Sequence, residues 1–162
     1  MTKAGKIDIS SMKKFVNKKV GLNIAHDLNE DNPTEVKEWI PTGSRWLDSI
    51  TCRGKMAGIP VGKITELAGL SSSGKSYMAC QIAAKAQEKG HCVVYFDAES
   101  AIDPKFLKNS GIDTNNGFLY IQAVSVEKVL ETIEDLMTEY AETQFLFIWD
   151  SIAATSAEAD LE

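Results

Sequence analysis

The sequence predicts an α/β fold, a mostly parallel sheet flanked by helices, and three observations carry that expectation. Gly69-Leu70-Ser71-Ser72-Ser73-Gly74-Lys75-Ser76 completes the pattern G-x-x-x-x-G-K-[ST], set between an apolar stretch and a helical one. Short apolar runs alternate with segments of helical periodicity along the chain. The clearest runs, at 92–96 and 145–149, are apolar throughout, as strands covered on both faces are. Strand, glycine-rich loop and helix in that order describe a phosphate-loop NTPase core.

Lys63 to Ala68 reads as the strand entering the loop, with Ile64 and Leu67 apolar. Gly69 and Gly74 let the backbone turn so that successive N–H groups point at one phosphate cluster. Lys75 supplies positive charge for the outer phosphates, and the Ser76 hydroxyl is placed to ligate magnesium. Ser76 to Lys89 reads as a helix, because Met78, Ala79, Ile82, Ala83 and Ala86 fall at helical spacing and Gly90 stops it. The second strand, Cys92 to Phe96, runs into Asp97-Ala98-Glu99-Ser100. Asp103 caps a short helix whose first turn accepts Pro104 and which Gly111 closes. Phe118 to Gln122 is a third strand. A helix follows, capped by Ser125, with Val126, Val129, Leu130, Ile133 and Met137 on one stripe.

The fourth strand ends at Asp150, about 75 residues beyond the loop lysine. A central strand delivers its last residue to the carboxyl edge of the sheet, where a carboxylate can hold magnesium opposite Ser76. At the same edge Asp97 and Glu99 are both candidates to orient or deprotonate the attacking water. Phe106 either stacks on an adenine ring or fills the core. ATP and Mg²⁺ are the expected ligands.

Ahead of the core, residues 1–38 read as a basic N-terminal arm and an acidic linker, with 39–162 as the ATPase core. Residues 1–21 hold six lysines against Asp8, a net of +5 in a chain of formal charge −6, so the rest carries −11. Such an arm touches nucleic acid or an acidic neighbour, or is simply solvated. One short helix, Ile9 to Val20, is expected in it. A composition of 44% hydrophobic and 25% charged residues is that of a globular domain, and 162 residues suit a single one. The start is too polar for a signal peptide, and no run reaches the roughly 18 apolar residues of a membrane span, so a cytoplasmic protein with no membrane partner is expected. Cys52, Cys80 and Cys92 lack metal or disulfide spacing and read as free thiols.

With these residues placed, the chain resembles the RecA-type DNA recombinases, phage recombinases of the UvsX kind in particular, from about Ile40 to its last residue. Thr42-Gly43-Ser44 with Leu47-Asp48 is similar to the family's "TGS…LD" stretch, and Gly62 to Glu66 to its entry into the loop. Phe96 to Pro104 is similar to its "DAE-x-A-x-DP" segment, and Asp150 to Ala154 to its "DS-hydrophobic-AA" ending. The resemblance implies that Glu99, not Asp97, activates water, that Phe106 stacks on adenine, and that Ser151 sits beside the magnesium carboxylate. It further implies ATP hydrolysis, assembly on single-stranded DNA, homologous recombination and repair, and self-association into a filament in which the arm docks on a neighbouring subunit. Ser71 departs from the glutamate that bacterial members often carry there. The sequence given stops about twelve residues after Asp150, before the family's DNA-contacting loops, so the core is expected to be truncated after this Walker B strand, as a fragment or as a natural short form. Two alternatives share these residues: a helicase-type or circadian-clock-type ATPase of the same fold, and a domain that binds nucleotide or joins a filament without turnover.

Overall fold

The structure is a computed structural model that describes residues 8–30, 32–100 and 102–160. The chain divides into two compact units, Met1–Lys37 and Glu38–Glu162.

In the first unit, helix α1 spans Ile9–Val20. The Asp8 carboxylate accepts from the Ser11 amide at 3.1 Å, Gly21 ends the helix in the left-handed region at φ 76, and Lys18 and Lys19 sit in its negative last turn. Beyond it the Asn17 side chain ties down the returning chain, accepting from the amides of Ile24 and Ala25 and donating to the Ala25 carbonyl. Lys3 and Lys6 of the expected basic arm lie outside the described residues.

The second unit opens with strand β1 (Trp39–Ile40), helix α2 (Arg45–Thr51) and strand β2 (Ile59–Pro60); β1 and β2 pair antiparallel. The Thr42-Gly43-Ser44…Asp48 stretch is structural: the buried Asp48 carboxylate accepts from the Thr42 amide at 2.9 Å and from its hydroxyl at 2.7 Å, while Ser44 caps α2. At Gly58 φ is 102, and a Cβ there would lie 2.0 Å from the Ile40 carbonyl oxygen. Gly58→Ala is therefore expected to destabilise the fold by roughly 2–4 kcal/mol, through backbone strain and overlap, readable as a lower urea midpoint.

Then follow α3 (Lys75–Glu88), β3 (Cys92–Asp97), α4 (Pro104–Asn109), β4 (Phe118–Gln122), α5 (Val126–Glu139) and β5 (Phe145–Asp150), with 3-10 turns at Ile152–Ala154 and Glu158–Asp160. The three strands make a parallel sheet in the order β4-β3-β5. Strand alternation sends β3 side chains to two cores. Val93 and Tyr95 pack with Cys80, Ile82, Ala83 and Ala86 of α3, and Leu146 and Ile148 of β5 join that side. Val94 and Phe96 pack with Val129 of α5 and with Phe145, Phe147 and Trp149. The uninterrupted apolar run of β3 thus fits its central, doubly covered position. By contrast β5, expected to be covered in the same way, lies at the edge of the described sheet and is half-buried throughout, because no described strand pairs with its other side.

One expected element is absent. Lys63 to Ala68 is not a strand: residues 62–70 are all exposed, and Ile64 is 100% exposed. A strand exists through its neighbour's hydrogen bonds, and no described strand lies beside this segment; β2, just before it, is already paired with β1. No helix among the described residues is long and apolar enough to cross a membrane.

Candidate functional site

The sheet register builds the site. Asp97 and Asp150 are opposite one another at the carboxyl ends of β3 and β5. On β5, Leu146 and Ile148 point to the α3 side, so period-two alternation sends Asp150 there too, toward the first turn of α3. There Ser76 Oγ donates to Asp150 Oδ2 at 2.5 Å, joining residues 74 positions apart. The peptide bond between Asp150 and Ser151 is cis. Ser151 Oγ donates to Glu99 Oε1 at 3.3 Å. Ser76, Asp97, Glu99, Ile102, Phe106 and Asp150 line one cavity of about 140 Å³.

The Gly69–Ser76 loop leads into α3. Ser72 takes φ 60 and Gly74 φ 93, and the Ser73 amide donates to the Leu70 carbonyl at 3.2 Å. A Cβ at Gly69 would lie 2.8 Å from Ser73 Oγ, so a side chain there requires the Ser73 hydroxyl to turn away. Lys75 Nζ folds back over the loop and donates to the carbonyls of Gly69 at 3.1 Å and Leu70 at 3.0 Å. Gly74 brings no side-chain cap to α3, so the helix presents its positive end and backbone amides at the loop. Leu70, Ser71, Ser72 and Ser73 are all exposed.

Asp97 and Glu99 are in different situations. Asp97 is 1% exposed and braces the turn after β3: its carboxylate accepts from the amides of Glu99 at 3.0 Å and Ile102 at 3.2 Å and from the Tyr120 hydroxyl at 3.0 Å. A carboxylate committed to three donors has little capacity left to take a proton from water. Glu99 is exposed on the turn that Asp97 holds. Phe106, on α4, is half-buried against the α3-side core and meets Tyr77 edge to face at 6.4 Å.

Two tyrosines in this network escaped sequence reasoning. Tyr120 reaches Asp97, and Tyr95, wholly buried, donates to Asp150 Oδ2 at 2.7 Å. In the sequence both read as ordinary strand aromatics, because each reaches an aspartate at the end of a neighbouring strand and not of its own. Burial raises the Tyr95 phenol far above the ordinary 10.0, and the hydrogen bond to Asp150 adds to this. Burial also pushes the Cys80 thiol from 9.0 up to about 11, with the Asp150 charge contributing. Both groups stay neutral in the fold and release a proton more readily when unfolded. Their contribution is whole below pH 9 and is lost as pH rises, from about 9 to 11 for Cys80 and from about 10 upward for Tyr95. Melting temperatures should hold level to about pH 9 and fall above it; a flat profile to pH 11 would contradict the burial of these two groups.

A larger cavity of about 350 Å³ opens at the amino end of β3 beside His91, far along the strand from this chemistry. His91 is buried, and neither ring nitrogen has a hydrogen-bond partner among the described residues.

Comparison with known proteins agrees with the architecture. The family model for the RecA N-terminal domain matches residues 7–162. The chain is 40% identical over 148 residues to protein RecA of Aquifex pyrophilus, covering 91% of this chain and 40% of that protein. For protein RecA of Clostridium botulinum (strain Alaska E43 / Type E3) the identity is 37% over 162 residues, covering 96% and 44%. The chain thus spans about two fifths of the length of these curated relatives. A match over nearly the whole chain, together with an α/β sheet whose strand ends converge on one cavity, places this protein in the RecA family, as a counterpart of its N-terminal domain.

Proposed function

We propose that residues 39–162 form a phosphate-loop NTPase core that binds ATP with Mg²⁺, behind an arm and linker formed by residues 1–38. In the context of a full-length protein it acts in the cytoplasm as a DNA-dependent ATPase, self-associating on single-stranded DNA for homologous recombination and repair. The observation that carries this reading is the Ser76–Asp150 hydrogen bond at 2.5 Å, made at the start of a helix that a G-x-x-x-x-G-K-S loop precedes.

The residues suit these ligands. A hydroxyl and a carboxylate are the hard oxygen donors that magnesium takes. By donating its proton to Asp150, Ser76 keeps both Oγ lone pairs available to a cation. Bound magnesium would neutralise phosphate charge. The loop amides and the α3 terminus receive phosphate oxygens, and Lys75 leaves the Gly69 and Leu70 carbonyls to meet the outer phosphates. Glu99 accepts a proton from water at its free carboxylate oxygen, held in place by Ser151 Oγ and by the Asp97-braced turn. Phe106 offers a ring face to the base.

The test is equilibrium binding of an unhydrolysable ATP analogue to the full chain with and without Mg²⁺. Asp150→Asn should weaken the Mg²⁺-dependent part alone, and equal affinity with and without the metal in both proteins defeats the reading. DNA contact, if it rests on phosphates, falls steeply with salt.

A further inference from the structure

Tyr95 is a buried titratable residue to which the scheme above gives no task. Its ring sits at 0% exposure in the α3-side core, where packing asks for the ring and not for a hydroxyl. Its hydroxyl nevertheless crosses from β3 to the last residue of β5 and donates to Asp150 Oδ2 at 2.7 Å. The same oxygen accepts from Ser76 at 2.5 Å. Two donors occupy the two lone pairs of Oδ2, which fixes the carboxylate's rotation and makes Oδ1 the oxygen that neither donor takes. Of the two donors, only Tyr95 is locked in a packed core; Ser76 is half-buried in the first turn of α3, just after an exposed loop.

We propose that Tyr95 is a positioning residue for the divalent cation, acting through Asp150. This rests on the reading of Ser76 and Asp150 as the cation's protein ligands. A carboxylate at a strand end has a broad terminal torsion, and a ligand that must be ordered on binding loses affinity. Tyr95 orders it beforehand from a rigid position, and second-layer hydrogen bonds of this kind act on metal affinity more than on nucleotide affinity. Tyr120 makes the parallel bond to Asp97, one strand over. The two tyrosines pair across β3 and β4. They hold separate carboxylates, one serving the cation and the other the Glu99 turn.

The experiment titrates Mn²⁺ into the full chain with an unhydrolysable ATP analogue and reads free Mn²⁺ by electron paramagnetic resonance. Tyr95→Phe removes one oxygen and keeps the ring. It should raise the half-saturating Mn²⁺ about tenfold while leaving analogue affinity in EDTA unchanged. In an Asp150→Asn background the same substitution should add less than about twofold, because its route is gone. Tyr95→Leu, which also removes the ring, separates packing from positioning: it should lower the melting temperature much more than Tyr95→Phe does. The proposal is overturned if Tyr95→Phe titrates like the unaltered chain, if its effect persists undiminished beside Asp150→Asn, or if Mn²⁺ affinity follows the melting temperature across the two variants. If Ser76→Ala and Asp150→Asn both leave Mn²⁺ binding unchanged, the reading of the site fails first and this inference falls with it.

Discussion

Glu99→Gln should slow ATP hydrolysis by 10²- to 10⁴-fold, on the order expected for loss of a general base, with nucleotide affinity held within about twofold. The substitution keeps the shape of the side chain and its bond from Ser151 Oγ, and it alters nothing in the loop or at Asp150. Binding is therefore spared, and the loss falls on turnover. The control is Asp97→Asn, whose carboxylate holds the Glu99 and Ile102 amides and the Tyr120 hydroxyl in a buried setting. An amide cannot accept on both arms, so at least one of these donors loses its partner, at a cost of about 1–3 kcal/mol in stability. Its activity loss should track unfolding and diminish on cooling, whereas that of Glu99→Gln should not. Single-turnover rates at two temperatures distinguish them. A silent Glu99→Gln beside an inactive but well-folded Asp97→Asn would exchange the two roles.

Lys75→Ala should lower affinity for the triphosphate by at least about 100-fold, the scale of a lost charge-assisted contact to phosphate. Stability should barely change, because its contacts with the Gly69 and Leu70 carbonyls lie at an exposed loop where water replaces the ammonium. Calorimetric titration with ATP, beside a thermal melt, reads both quantities. Unchanged affinity would show that the loop is not the phosphate site. Since the ammonium must first leave those carbonyls, the loop amides should become more protected from hydrogen exchange when nucleotide binds.

The helices were the most legible part of this chain. Asp103 and Ser125 announce two helix starts by chemistry that acts within a few residues, and the short helix expected at Ile9 to Val20 is present. The apolar run of β3 likewise declares a doubly covered strand. Lys63 to Ala68 carries an equally plausible strand pattern and stays unpaired, because pairing depends on a neighbour that local sequence does not name. The β1–β2 pair went unseen for the converse reason: two residues on each side are too few to show a period. At the site, the loop motif and the strand-end Asp150 were visible from residue types, but Asp97 and Glu99 stand two positions apart and no local rule separates them. Burial puts them in different settings: Asp97 accepts from the Glu99 and Ile102 amides and the Tyr120 hydroxyl, and Glu99 lies at the surface.

By itself, then, the sequence determined where the α4 and α5 helices start and that β3 is a buried strand, since caps and periodicity act over a handful of neighbouring residues. Only the tertiary structure decided that Ser76 and Tyr95 share one oxygen of Asp150, and that Asp97 serves as a brace. Those outcomes follow from the register of three strands and the seating of α3 on them, which bring together groups 55 and 74 positions apart in the chain.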